Sequence, residues 1–580
     1  MIASKTAKNK EKLKKQAIAD LLKYKLKSRN DLMLAKRKVA KKYGIKILLN
    51  SEVLQYYQAE IKQGLRKYDG ELVKILRKRS IRTLSGIAPV AVLTKSYPCP
   101  GQCTYCPTEK NVPQSYLSNE PAVMRAIRCK YHPYLQVRDR LHALVANGHE
   151  PTKIELIVIG GTWSVLPEKY KHWYIKECFR AANEFSEKIS ITKHQETNKF
   201  QYPMTKLKNE LLVEQKKNER AKYRIIGITL ETRPDYIDDK ELLEMRELGC
   251  TRVEIGVQAI DDQILKLNKR GHNVAAIARA TKMLKNYGFK VTYHLMPGLP
   301  GSTPAKDFKM YKQLFVDTRF QPDQIKFYPT VVTRGSLLYR WWKGGKYKPY
   351  SKKALENLII KCKAVTPKYV RIIRLIRDIP AESIIAGNIV TNLRQVMQSR
   401  GVECKCIRCR EARDKKFKIY DLRFRILKYK ASEGEEYFIS CESKDGKTLY
   451  GFCRLRLLDD KRNTASLLFA KEEDRRSSGV ILKELTPALP LPKGGSRFVA
   501  LIRELHVYGE LVSVGNPSTL LRTSKKIQHS GLGKRLLTEA EKIAKNKGYQ
   551  KIVIISGVGA REYYRKLGYK LENSYMVKKI

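Results

Sequence analysis

The chain is 580 residues long and carries 116 Lys and Arg against 57 Asp and Glu, a formal net charge of +59. A hydrophobic content of 42% supports real cores in about two to four domains, and the charge points to a polyanionic partner, most simply nucleic acid, with a lysine-rich solvated surface as the plainer alternative. Twelve cysteines without a secretory signal argue against a disulfide framework, and no apolar run approaches the ~18 residues of a membrane span.

Residues 1–50 hold 16 Lys/Arg and 3 Asp/Glu, with Ile18, Leu21, Leu22 and Leu26 recurring at helical spacing. This predicts a basic arm of amphipathic helices over 1–80, which either grips RNA phosphates or is merely solvated. An apolar run from Ile87 to Leu93 reads as a strand. After it come Cys99, Cys103 and Cys106 in a C-x3-C-x2-C loop loosened by Pro98, Pro100 and Gly101. Thiolates are soft ligands for iron–sulfur clusters or zinc. Three of them leave one iron of a cubane open. A structural zinc loop or three buried thiols would also fit.

Further strand-like runs follow at Lys153 to Gly161, Arg224 to Glu231, Arg252 to Gln258, Lys290 to Met296, Gln324 to Tyr328 and Val370 to Ile376. Helical patterns lie between them, as at Asp239 to Leu248 and Val274 to Tyr287. The repeated βα units predict a parallel sheet with helices outside, a full or partial (β/α) barrel over 81–395. The polar stretch 186–222 interrupts the rhythm and reads as an inserted surface helix. Gly160 and Gly161 end a strand and permit close backbone approach to a ligand. Glu231 to Asp235 and Glu254 to Gln258 end two more with polar side chains, which can bond ribose or carboxylate oxygens or simply cap loops.

Cys404, Cys406 and Cys409 fall within six residues as C-x-C-x2-C. We read a zinc-binding linker over 396–415, with a second iron–sulfur cluster or idle thiols as alternatives. No fourth ligand is evident, and Cys441 or a distant residue are candidates. From about 416 the texture becomes antiparallel, with strands at Asp421 to Tyr429, Glu436 to Cys441 and Thr448 to Leu457, then a Pro/Gly/Ser-rich mobile loop over 471–497. A strand Arg503 to Gly509 follows, then Gln528 to Leu537, a glycine-rich turn opening a helix. Its bared N–H groups and helix dipole suit a pyrophosphate. Lys551 to Ser556 is another strand.

The cysteine spacing, placed after the first βα strand, resembles the radical S-adenosylmethionine (SAM) superfamily. That resemblance implies a [4Fe–4S] cluster on Cys99, Cys103 and Cys106, with SAM on the open iron as the source of a 5′-deoxyadenosyl radical. It also implies SAM contacts by the Gly160–Gly161 backbone, where Thr162 replaces an acid, and by Glu231 and Gln258; the turn from Met296 to Gly301 lies near adenine. The Q-x-x-G-x-G of Gln528 to Gly533, with Tyr563 to Tyr569, resembles the GNAT acetyltransferases and implies an α+β acetyl-CoA domain over 416–580.

Both modules together, with Glu504 to Gly509, Ile555 to Gly559, Tyr563 to Lys566, Met124 to Arg128, Tyr134 to Gln136 and Glu231 to Asp235, resemble the Elongator catalytic subunit family in its archaeal or bacterial stand-alone form. The resemblance implies transfer from acetyl-CoA to C5 of the tRNA wobble uridine in the anticodon loop, started by hydrogen abstraction from the acetyl methyl. It implies acetyl-CoA contacts at Lys153, Glu504, Leu505, His506, Val507, Leu532, Gly533, Lys534 and Tyr564, with Tyr564 and Lys153 as catalytic candidates. A cytoplasmic monomer or homodimer, without membrane or obligate partner subunit, is expected. The competing readings are a protein lysine acetyltransferase with a structural iron–sulfur barrel, a radical-SAM methylthiotransferase with a second cluster, and a tRNA-binding scaffold.

Overall fold

The computed structural model describes residues 2–77, 86–186, 202–390, 392–412, 422–458, 499–509 and 531–580. The basic N-terminal segment folds into four helices, Ile2–Leu21, Arg29–Tyr43, Asn50–Lys62 and Gly70–Leu76. They are more than a solvated arm. Ile18, Leu21 and Leu22 are buried with Val53, Leu54 and Tyr57 in a separate small core, and Leu26 packs at its edge. Ser28 caps the second helix by a capping box with Asp31. Arg77 Nε ties this unit to the barrel by donating to the Gly148 carbonyl at 2.9 Å.

Seven strands form one parallel sheet. β1 (Ala88–Leu93), β2 (Lys153–Ile159), β3 (Arg224–Thr232), β4 (Cys250–Gln258), β5 (Lys290–Leu295) and β6 (Gln324–Phe327) pair in sequence order, and β8 (Arg371–Arg374) closes on β6. β1 and β8 do not pair, so the barrel is partial. A short antiparallel pair, β7 (Val332–Thr333) and β9 (Ile384–Ala386), lies apart from the sheet. Outer positions such as Val90, Ile154, Ile225, Val253 and Val291 are fully buried against the helices.

The stretch expected as a surface insertion is only partly that. Residues 187–201 lie outside the described residues, but helix Met204–Asn218 buries Leu207 and Leu211 in the main core. Asn218 also holds the start of β3, accepting from Ile225 N at 2.7 Å.

The second sheet runs β10 (Leu422–Lys430), β11 (Gly434–Ser443), β12 (Leu449–Leu458), β13 (Val499–Val507), β14 (Lys551–Ile554), β16 (Tyr575–Lys579), β15 (Lys570–Glu572). It is antiparallel except where β13 meets β14. β13 and β14 pair only over Val499–Ile502 and Lys551–Ile554, so Arg503 to Val507 lose their β14 neighbour and the sheet splays. Helix Leu532–Asn546 packs across β11, β12 and β13. The expected mobile loop at 471–497, and Gln528 to Ser530 of the glycine-rich turn, lie outside the described residues.

The second sheet stands against the N-terminal ends of the barrel strands. Gly288, just before β5, abuts Leu501 and Ile555. A Cβ on Gly557 would overlap the Ile226 carbonyl, and one on Gly559 would press into Arg224. Gly557 and Gly559, which carry the family likeness of Ile555 to Gly559, are points where the two backbones touch.

Candidate functional site

One cavity of about 1850 Å3 is lined at one end by the cysteine loop and at the other by β13 and the start of helix Leu532–Asn546. Strand β2 spans it: Lys153, at its first residue, lies on the far side from Gly161. Seven residues at about 3.3 Å rise put the two ends about 20 Å apart. Most barrel interiors are filled by branched apolar side chains. Here inward positions include Glu155, Arg252, Glu254, His294 and Lys326, so the interior is polar and open.

At the cysteine end, Cys99, Cys103 and Cys106 all line the cavity. Gly101 N donates to Cys99 Sγ at 3.4 Å, and Arg270 Nη1 donates to Cys103 Sγ at 3.0 Å. The Cys106 thiol, with the Arg270 and Arg233 guanidiniums, overcomes burial and holds Cys103 at about 4, so a thiolate is favoured there. Arg233 Nη1 is buried beside Gly101 with no partner among the described residues. The other Arg233 nitrogens bind Asp235 and the Arg270 carbonyl, so this spare N–H close to the Cys99 and Cys103 sulfurs suits an anionic cluster. Among the described residues, Cys404, Cys406 and Cys409 gather within 4.8 Å of one another and the Cys99 set is not so gathered. A single ion needs the tighter grouping; a cubane spreads its ligands wider.

Gly160 and Gly161 hold φ of 140° and 98°, in the region that favours glycine. Gly161 and Thr162 line the cavity; Gly160 instead packs on Thr94, where a Cβ would clash. Gln258 sits at φ 66°, lines the cavity, and leaves Oε1 buried and unpartnered among the described residues. Glu231 also lines it but is already engaged, accepting from Tyr116 OH at 2.7 Å and Lys326 Nζ at 3.5 Å. Glu254, with His294 Nε2 at 2.9 Å and in contact with Lys326, stays well below the carboxylate range because the Lys326 ammonium and the His294 hydrogen bond outweigh its burial. Glu231, Glu254 and His294 are grouped closely enough for a metal, but the Lys326 ammonium takes the cation's place.

At the other end, Glu504, Leu505, His506, Val507, Gly533, Lys534, Tyr563 and Tyr564 line the cavity with Lys153. Leu532 does not; its side chain is buried in the core, and only its place in the first turn relates it to the site. Gly531 precedes that turn at φ 73°. His506 lies parallel to Phe452 and against Tyr508. Burial holds it neutral, at about 4, and its Nε2 is unpartnered among the described residues. Burial and then Tyr563 raise Tyr564, keeping its hydroxyl protonated. Burial and then Arg224 lower Lys153. Glu504 is bound to Arg454 Nε at 3.0 Å and lies 3.8 Å from Lys290 of the barrel, so its carboxylate serves the junction of the two sheets.

The cysteine knot at 404–409 sits at that junction too. Ile407 N donates to Val370 O at 2.9 Å, beside β8, and Arg410 pairs with Glu442 of β11 at 2.7 Å. Cys441 is not in the group, and the described residues supply no fourth ligand.

A sulfur-lined parallel barrel opening onto a splayed acetyltransferase sheet defines a radical-SAM enzyme with a GNAT module. The Radical SAM superfamily model matches residues 94–314, the Radical_SAM C-terminal domain 322–401, and the Acetyltransferase (GNAT) domain 491–579. The tRNA uridine(34) acetyltransferase of Dehalococcoides mccartyi is 42% identical over 511 residues, covering 86% of this chain and 99% of its own. Elongator complex protein 3 of Danio rerio is 38% identical, covering 88% and 87%. The solved structure of archaeal Methanocaldococcus infernus Elp3, with an N-terminal deletion, superposes with a TM-score of 0.65 at 36% identity, over 86% of this chain and all of that one. The chain belongs to the family of the tRNA uridine(34) acetyltransferases and Elongator complex protein 3.

No described helix is long and apolar enough to cross a membrane.

Proposed function

We propose that the chain transfers an acetyl-CoA-derived group to C5 of the wobble uridine of tRNA. The observation that carries this reading is the single cavity joining the cysteine loop to His506 and Tyr564. A protein lysine acetyltransferase with a structural barrel would have no use for that connection.

Cys99, Cys103 and Cys106 hold a [4Fe–4S] cluster, and Gly161 and Gln258 meet SAM. When bound, this pair supplies the one-electron chemistry that opens an unactivated C–H bond. Arg233 and Arg270 stabilise the thiolates. Gly533 and Lys534 receive the pyrophosphate of acetyl-CoA, His506 Nε2 accepts or donates one hydrogen bond to it, and the splayed backbone of Leu505 and Val507 takes its pantetheine amides. Tyr564, protonated, donates to the thioester carbonyl or the leaving sulfur. Lys153, its charge disfavoured by burial, meets acetyl-CoA from the barrel side. Zinc at Cys404, Cys406 and Cys409 pins the linker 396–415 between a barrel over 81–395 and the acetyltransferase part over 416–580. The helices of 1–80 hold tRNA phosphates. The enzyme works in the cytoplasm as a monomer or homodimer.

The test is anaerobic reconstitution with iron and sulfide, then incubation with SAM, dithionite, acetyl-CoA and tRNA, with digested nucleosides read by mass spectrometry. Carboxymethyl on uridine together with 5′-deoxyadenosine supports the reading. Acetyl transfer to lysine peptides that survives Cys99→Ala, Cys103→Ala and Cys106→Ala, with no uridine product, overturns it.

A further inference from the structure

Beyond the main cavity, a second one of about 370 Å3 opens on the outer side of the turn Met296 to Gly301. Its walls include Leu299, Pro300, Trp341, Tyr347 and Tyr350, with Lys346 and Lys348 at the rim. The volume is at the lower end for small-ligand sites, enough for one planar ring system and little more. The turn separates the two spaces, Met296 facing the main cavity and Gly298 to Ser302 the second.

The aromatic walls are fixed. Tyr347 OH donates to the Gly298 carbonyl at 2.7 Å, and Tyr350 OH to Asp307 Oδ2 at 2.7 Å. Lys346 and Lys348 are exposed, and no ion pair joins either to a described residue. The surrounding stretch 334–353 carries seven Lys/Arg and no Asp or Glu, interleaved with aromatic residues. It also lies beside the cysteine loop. Leu338 N donates to Thr104 O at 2.7 Å, Gly335 abuts Thr108, and Asn268, next to the lining residue Leu267, bonds both Thr104 and Pro300.

We propose that this cavity holds one unstacked nucleotide of the RNA substrate, its base against Trp341 and its phosphates on Lys346 and Lys348. The inference rests on the RNA-modifying reading above. Single-stranded RNA is held by a basic groove that tracks phosphates and by aromatic faces that stack on splayed bases. A target base that enters the barrel beside the cysteine loop leaves its flanking nucleotides outside that loop, where this cavity lies. Holding one of them fixes the register of the strand, so the correct base is presented.

The experiment measures binding of an unmodified tRNA transcript to the full chain across a salt series. Lys346→Gln with Lys348→Gln should lower the log–log salt slope by about 1.4, the value for two single-strand phosphate contacts. Trp341→Ala should weaken binding between about fivefold and about a hundredfold, with Trp341→Phe restoring most of it. Acetyl-CoA binding, on the other sheet, should be unchanged in all three and reports intact folding. The exposed lysine pair decides the matter if Trp341→Ala misfolds. Wild-type slope and affinity in the lysine pair overturn the inference. So does loss of SAM binding with tRNA affinity intact, which would give the cavity to the adenine of that cofactor. Failure of the wild-type chain to bind tRNA at all overturns the functional reading instead.

Discussion

Arg503 of β13 and Asp323, the residue before β6, meet through two parallel hydrogen bonds, Nη2 to Oδ1 at 2.6 Å and Nη1 to Oδ2 at 2.8 Å, with both side chains fully buried. The pair joins the two halves of the molecule. Arg503 also reaches Glu436 at 3.0 Å, and Lys285 lies 3.6 Å from both acids. Asp323 closes the network on the barrel side by accepting from Val291 N at 2.9 Å. A buried pair need not add net stability, but removing one partner strands the other charge. Arg503→Met should therefore destabilise the protein by about 3–5 kcal/mol. Thermal unfolding checks it, and a change within about 0.5 kcal/mol would show that water or Lys285 takes over the role.

Gly557→Ala tests the backbone contact between the halves. The new methyl overlaps the Ile226 carbonyl, and backbone does not give way as a flexible side chain does. The expected result is a loss of more than about 2 kcal/mol, together with weaker acetyl-CoA binding as Tyr563 and Tyr564 shift with the 557–560 turn. Gly548→Ala is the contrast. That glycine has φ 80° but nothing within reach of a Cβ, so its cost comes from backbone strain alone, about 1 kcal/mol.

Tyr564→Phe keeps the buried ring and removes only the hydroxyl. Turnover of acetyl-CoA in the presence of tRNA should fall about a hundredfold to ten-thousandfold, with binding little changed. Unchanged turnover removes Tyr564 from the chemistry.

His506 gives a pH signature. Its folded value, about 4, lies below the ordinary 6.5 because burial penalises the imidazolium. The unfolded chain thus takes up a proton at His506 before the folded one does. Its contribution to stability is intact above about 6.5 and is lost as pH falls from there towards 4. Asp323, held below its ordinary value because Arg503 and Lys285 outweigh its burial, acts only below about 3.8. Urea unfolding of His506→Gln should show a shallower acid slope between about pH 6.5 and 4, leaving the shares of His142 and His272, which burial also lowers, and keep the lower part. An unaltered profile would assign that range to another group.

Metal analysis separates the two cysteine groups. One zinc and four irons per chain are expected after reconstitution, with Cys404→Ser, Cys406→Ser and Cys409→Ser losing zinc alone. Eight irons and no zinc would make the compact group a second cluster.

The barrel strands were legible because each is an apolar run bounded by turn residues, and the cysteine loop because its spacing is local. What escaped the sequence depends on partners far along the chain. Arg252 to Gln258 reads as an ordinary half-polar strand, yet Arg252, Glu254 and Gln258 face inward among Glu155, His294 and Lys326. Nothing in the pattern tells an inward polar face from a solvated one. Arg233 and Arg270 lie well over 100 residues from the sulfurs they serve. Glu504 carried a family likeness to a ligand contact, but its partners Lys290 and Arg454 could not be seen from its neighbours.

The floor of the barrel is formed by the acetyltransferase sheet, about 20 Å below the cysteine loop. Reach then selects the acyl donor. A compact donor anchored at the floor would leave its acetyl group stranded there. A donor whose acetyl group rides on a long, jointed tether can keep its charged head outside and extend the acyl end upward, so that delivery becomes a search along a tube by a captive end, at high effective concentration and without release into solvent. The depth of the barrel and the length of the carrier are matched parts of one device.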